Sequence, residues 1–335
     1  MALKSLLKKN ARTLYFSARL LPRPLRRAFL CAYLLCRTAD TVADTSLLPA
    51  SLREGLIKDY PELIKKQKKE TILRFQKEFS KITEGPENER ALLSHLELCL
   101  KEFNLLNKHQ KDLIFDVVTA VCRAMSWDLS FFPSPESGLL KAVFSAQDTK
   151  KYCEYMGGAP GEFWAKLMLK GKKNIRFIDD AKSIGCALQI TNILRDLRAD
   201  LKIGRCYLPV TDLTEVRLLP QDLLEPKSYR RLKPVICDWV RWGVDNLLRA
   251  PSFFEQISKF NFGARCAVAW PVLWSLDTFL LLIKSRNLLE EGAVLKIPKR
   301  HIYLTMLASP LYCFSNRIFT EIVKRRAQKI KQITQ

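Results

Sequence analysis

The 335-residue chain is poor in glycine, with 12, and has three histidines, His95, His109 and His301. So few glycines leave no segment that reads as a flexible linker. No G-x-G-x-x-G occurs, which argues against a Rossmann cofactor domain. The ten cysteines form no C-x-x-C pair and none joins a histidine at zinc spacing, so no zinc site is expected. No stretch alternates apolar and polar residues long enough to be a convincing strand. Long apolar runs are also lacking. Residues 267–283 contain Pro271 and Asp277 and fall short of the ~20 residues that cross a bilayer, and 302–314 contains Pro310. The first lysines precede no uninterrupted apolar core, so no signal peptide or transmembrane helix is expected.

What is present is helical periodicity over a chain that is 48% apolar, and the expectation is one all-α domain over 1–335, with a basic tail at about 318–335. Helices are expected at about 8–20, 23–43, 50–80, 90–105, 109–130, up to Tyr155 with Asp148 or Thr149 as cap, 174–199, 225–249, 252–259, 262–285 and 310–332. Segments 65–70 and 84–89 read as solvated faces and a turn. Cysteines such as Cys31, Cys99 and Cys266 sit in apolar helical runs, where a free thiol behaves as a small hydrophobe; a reducing cytoplasm is the simpler setting. The formal charge is +22. Nucleic acid is one partner of so basic a chain. Polyanionic diphosphates and the anionic inner face of a membrane are the better fits, with Lys324–Lys331 as a basic contact and the association peripheral.

Two aspartate pairs carry the functional signal. Asp40 and Asp44, and Asp196 and Asp200, are each spaced i, i+4, which puts both carboxylates on one helix face. Tyr33, Arg37, Asp40 and Asp44 share one stripe, and Gly185, Gln189, Asn192, Asp196 and Asp200 another, while the remaining faces are largely apolar. A polar stripe on a buried helix must face partners or a cavity, because unpaired buried charge is costly. Hard cations such as Mg2+ bind one or two carboxylates plus substrate phosphates. The pairs are therefore expected to form facing walls of one diphosphate-binding cavity.

Several segments then read together. Asn192-Ile193-Leu194-Arg195-Asp196 with Asp200 is followed by Gly204-Arg205-Cys206-Tyr207-Leu208-Pro209; Tyr152-Cys153-Glu154-Tyr155-Met156-Gly157-Gly158-Ala159-Pro160-Gly161 and Ala124-Met125-Ser126-Trp127-Asp128-Leu129 precede them. In this order, over about residues 10–285, they resemble the squalene/phytoene synthase family of head-to-head prenyl diphosphate synthases, whose segments read GRxYLP, YCxYVAGxVG and GMxxDL. The chain departs from the pattern at Ala124, which replaces a glycine, at Glu154, and at Arg12-Thr13-Leu14-Tyr15, where the family has SxSF and Thr13 keeps a hydroxyl.

The resemblance implies an isoprenoid synthase fold, with helices around an apolar cavity. It also implies two prenyl diphosphates joined 1-1′ through a cyclopropylcarbinyl diphosphate. Asp40, Asp44, Asp196 and Asp200 would hold Mg2+. Arg37, Tyr33, Thr13, Gln189, Asn192 and Arg195 would contact substrate, with pairing to the aspartates as the plainer role of the two arginines. Tyr152 would carry a proton or stabilise a cation, and Phe163, Trp164 and Met168 would line a prenyl tunnel or simply fill core. Asp40–Asp44 looks squalene-type, and Leu295-Lys296-Ile297-Pro298-Lys299 is similar to a segment linked to the nicotinamide cofactor. Farnesyl diphosphate and a C30 product are thus favoured, with NADPH if that product is squalene. Phytoene from geranylgeranyl diphosphate is the alternative, and a non-catalytic lipid- or partner-binding protein is the second. The expected state is a cytoplasmic monomer, peripheral to the inner face of the membrane, that binds no nucleic acid.

Overall fold

The computed structural model describes residues 18–291 and 295–335. The chain divides into two compact units. One runs through Phe131 and takes in Phe163–Lys173; the other comprises Phe132–Glu162 and Asn174–Gln335. The fold is all-α, as expected. Among the described residues its only strands are β1 (Lys141–Ala142) and β2 (Arg205–Cys206), a two-residue parallel pair too short to leave a period-two signal.

In the first unit α1 (Arg23–Asp44) begins after Pro22 and ends at Thr45. It buries Leu30, Leu34, Leu35, Ala39 and Val42, and packs on α6 (Lys108–Phe131). The expected helix over 50–80 is two, α2 (Ala50–Lys66) and α3 (Lys69–Phe79), because Gln67 turns left-handed at φ 47°. The expected helix over 90–105 is likewise two, α4 (Glu87–Ser94) and α5 (Leu96–Asn104), broken at His95. Phe29 meets Trp164 edge to face at 5.3 Å.

In the second unit Ser145, rather than Asp148 or Thr149, caps α7 (Ala146–Cys153). Its hydroxyl takes the Asp148 backbone N–H, while the Asp148 carboxylate takes the Ser145 N–H. Residues Glu154–Gly158 widen into a π turn before α8 (Ala159–Leu169). The 28-residue α9 (Ile175–Lys202) is capped by Asn174 and packs on the π turn and on α11 (Tyr229–Leu247), which follows the short α10 (Val210–Glu215). After α12 (Ala250–Glu255) comes α13 (Phe262–Lys284). Among the described residues it is the one helix long and apolar enough to cross a membrane; 67% of its most apolar window is buried. Pro271 and Asp277 lie inside this helix, within the expected span 262–285. α14 (Lys299–Leu307) is not among the expected helices, and the expected terminal helix over 310–332 is two, α15 (Ser309–Cys313) and α16 (Asn316–Thr334). α16, the expected basic tail, buries Phe319, Val323, Ala327 and Ile330.

Candidate functional site

The first aspartate stripe forms as the sequence implies. Tyr33, Arg37 and Asp40 are half-buried on α1 and Asp44 is exposed at its end. The Arg37 guanidinium donates to Asp40 and, at 2.5 Å, to Glu89 on α4. Sequence reasoning missed Glu89, having read 84–89 as a solvated turn. Only the tertiary approach of α4 to α1 reveals it. Glu89 also lines, with Thr41, Asp44, Ser46 and Arg90, a cleft of about 240 Å³. Thr13 lies outside the described residues.

The second stripe runs along α9. Gln189, Asp196 and Asp200 are half-buried, and Asn192 and Arg195 exposed, while Ile190, Ile193, Leu194 and Leu197 fill the core behind them. Arg195 binds Asp196 through both arms of its guanidinium, Nε to Oδ1 at 2.9 Å and Nη2 to Oδ2 at 2.5 Å. That hydrogen bond, with the Asp196 and Asp200 charges behind it, raises the Arg195 pKa. Both arginines therefore hold aspartates, the plainer of their two expected roles.

Tyr152, the last residue but one of α7, is 7% exposed and stacks on Tyr207 with ring centroids 4.6 Å apart. Tyr207 belongs to the Gly204–Pro209 segment, pinned from three sides. Lys141 N–H donates to the Gly204 carbonyl at 3.0 Å, Val143 N–H to Cys206 at 3.1 Å, and the Thr149 hydroxyl to the Tyr207 carbonyl at 2.7 Å. Gly204 must be glycine: φ is +82° and a Cβ would lie 2.5 Å from the Leu139 carbonyl oxygen. Asp200 is felt here, since its charge adds to burial in pushing the Cys206 thiol up to about 12. The glycine cluster after Tyr152 serves helix packing: Gly157 meets Gly185 and Gly161 meets Ala181 of α9. Phe163 and Trp164 are buried and Met168 half-buried.

The residues fit a hard divalent cation in a limited way. Each aspartate pair offers oxygen donors on one helix face, partly open to solvent. No group of three His, Cys, Asp or Glu side chains gathers at metal-binding distance among the described residues. Phosphate oxygens and water would have to complete any coordination, the usual habit of Mg2+. Lys296 and Lys299, in the segment similar to one linked to the nicotinamide cofactor, are exposed.

A model of the squalene/phytoene synthase family matches residues 7–296. The bifunctional lycopene cyclase/phytoene synthase of Leptosphaeria maculans is 28% identical over 87% of this chain and 47% of its own length. The squalene synthase of Schizosaccharomyces pombe is 22% identical over 82% of this chain and 58% of its own. The chain thus spans about half the length of these two relatives. The solved structure of TcSQS with the ligand BPH1237 superposes with a TM-score of 0.78 at 16% identity, covering 99% of this chain and 95% of that one, which shows a shared fold. With the aspartate stripes, the Tyr152 segment and the Gly204–Pro209 turn all falling inside a match that takes in most of its length, the chain belongs to the squalene/phytoene synthase family.

Proposed function

We propose that the protein joins two prenyl diphosphates head to head, with farnesyl diphosphate as substrate and a C30 hydrocarbon as product. The observation that carries this reading is the pair of arginine-flanked aspartate stripes, on α1 and α9, within the family match. Asp40, Asp44, Asp196 and Asp200 would hold Mg2+, which when bound neutralises a departing diphosphate. Arg37 and Arg195 would turn from the aspartates to diphosphate oxygens as substrate enters, keeping charge balanced at each stripe. Gln189 and Asn192 would orient those oxygens. Tyr152, held by its stack on Tyr207, would take or relay the proton lost when the cyclopropane ring closes. Apolar side chains would keep water from the allylic cation.

Relatives of both kinds keep the C40 reading alive, with geranylgeranyl diphosphate as substrate and phytoene as product. One experiment separates the readings: incubate the protein with farnesyl or geranylgeranyl diphosphate, Mg2+ and NADPH, and analyse hexane extracts and the diphosphate fraction. A C30 product or its cyclopropyl diphosphate is expected from farnesyl diphosphate. A C40 product alone would move the assignment to phytoene formation. No coupled product from either substrate would overturn the enzymatic reading in favour of a binding protein.

A further inference from the structure

A second surface, away from the aspartate stripes in sequence, presents bare hydrocarbon to solvent. Leu304 and Leu307 on α14, Leu311 on α15, Phe314 in the turn after it and Ile318 at the start of α16 are all exposed, Leu307 at 79%. Phe260 is 99% exposed, two residues before Phe262, whose ring stacks on Phe314 at 5.4 Å. The opposite face of this segment is locked in place. Tyr312 donates to the Thr305 carbonyl at 2.5 Å, Trp270 donates to Ser309 at 2.8 Å, and Cys313 is fully buried. The apolar side chains are thus held outward on a fixed support. A row of large exposed apolar side chains marks an interaction surface.

We propose that this face docks on an anionic lipid bilayer. Charge identifies the occupant. Residues 295–320 contain four Lys and Arg, namely Lys296, Lys299, Arg300 and Arg317, and no Asp or Glu. All four are exposed. Leucine and phenylalanine flanked by cations suit the boundary between headgroups and acyl chains. Each such cation strengthens association with an anionic surface about fivefold. A second copy of the chain would bring the same cations against each other across a two-fold interface, which disfavours self-association. The basic run at Lys324–Lys331 is a poorer contact than the sequence suggests, because three of its five cations are engaged and no large apolar side chain within it is exposed. Arg325 pairs with Glu321 at 2.5 Å, Arg326 with Asp277 at 2.9 Å, and Lys331 with Asp245 at 2.5 Å.

Cosedimentation of the full chain with vesicles tests this. The protein is expected to pellet with phosphatidylcholine–phosphatidylglycerol vesicles and much less with phosphatidylcholine alone, and salt should weaken the binding. The triple variant Leu304→Ser, Leu307→Ser, Leu311→Ser should lose about tenfold or more in affinity, with an unchanged circular-dichroism melt because its side chains are exposed. Arg300→Gln with Arg317→Gln, which leaves the apolar row intact, should lower the preference for anionic vesicles. Lys324→Gln with Lys329→Gln should bind like the parent. Failure of the parent to bind either vesicle overturns the proposal. So does undiminished binding by the triple variant, or a loss in the Lys324/Lys329 variant equal to the triple variant's. Equally decisive against it is a concentration-dependent dimer that the triple variant abolishes while vesicle binding stays the same.

Discussion

Gly157 and Gly185 meet backbone to backbone, so closely that a Cβ built on Gly157 lies 2.1 Å from the Gly185 carbonyl oxygen. The contact sets the distance between the π turn after Tyr152 and the helix that carries Asp196 and Asp200. Gly157→Ala is therefore expected to push two elements apart at once. The obstacle is backbone, so the cost should reach or exceed the upper end of the ~1–3 kcal/mol usual for overpacking. Turnover should fall with stability. Gly55 in α2 is the control: nothing lies within 4 Å of its Cβ position, and Gly55→Ala should stabilise by about 0.5–1 kcal/mol. Chemical denaturation of both variants checks the contrast. Equal effects would remove the close-contact explanation.

The aspartates should separate catalysis from stability. Asp40 and Arg37 are both partly exposed, so breaking their pair with Asp40→Asn should cost no more than about 1 kcal/mol. Asp44→Asn and Asp200→Asn are expected to be as mild. Each should nevertheless cut product formation by orders of magnitude, with a higher Mg2+ concentration needed for half-maximal rate. A folded variant with parental turnover would reject that aspartate as a ligand.

Alkaline pH should unfold the protein through its buried thiols. Burial pushes Cys99, Cys186 and Cys206 from 9.0 up to about 12. A raised folded-state pKa leaves stability whole below the unfolded value near 9 and removes it as pH climbs toward 12. Each thiol should contribute about 1.4 kcal/mol per pH unit within that window. Denaturant melts from pH 8 upward measure the slope. Cys206→Ala should make it shallower; an unchanged slope would show that other groups set the alkaline limit.

The sequence made the two aspartate helices readable because their signals are local. Periodicity places Arg37, Asp40 and Asp44 on one stripe, and Asn192, Asp196 and Asp200 on another, whatever the rest of the chain does. Glu89 carries no such local signal, because its role exists only once α4 lies against α1. The break at Gln67 was hidden for a different reason: glutamine favours helices, and only its left-handed backbone ends one. Asp148 and Ser145 share one capping box, so a reading that places the cap at Asp148 or Thr149 starts the helix a turn late. The two-residue strands around Gly204 are beyond any periodicity argument, yet they fix the turn that supports Tyr152.

Tyr152 gives the sharpest test of mechanism, because its two roles predict opposite results. Its ring is buried against Tyr207, so Tyr152→Phe keeps the stack and removes only the hydroxyl. If that hydroxyl relays the proton lost on ring closure, the variant should form the cyclopropyl diphosphate ~10²–10⁴-fold more slowly, the range of general acid–base catalysis. None of the intermediate should accumulate, since the affected step is its formation. If the tyrosine only fills core, the loss should be ~1–3 kcal/mol of stability from a polar partner left unsatisfied, with near-normal rates in the folded fraction. Tyr207→Phe serves as a comparison, since it alters the other ring of the stack. Single-turnover reactions without NADPH, quenched and analysed for the cyclopropyl diphosphate, tell the roles apart. Parental formation of the intermediate by Tyr152→Phe would remove this residue from the chemistry.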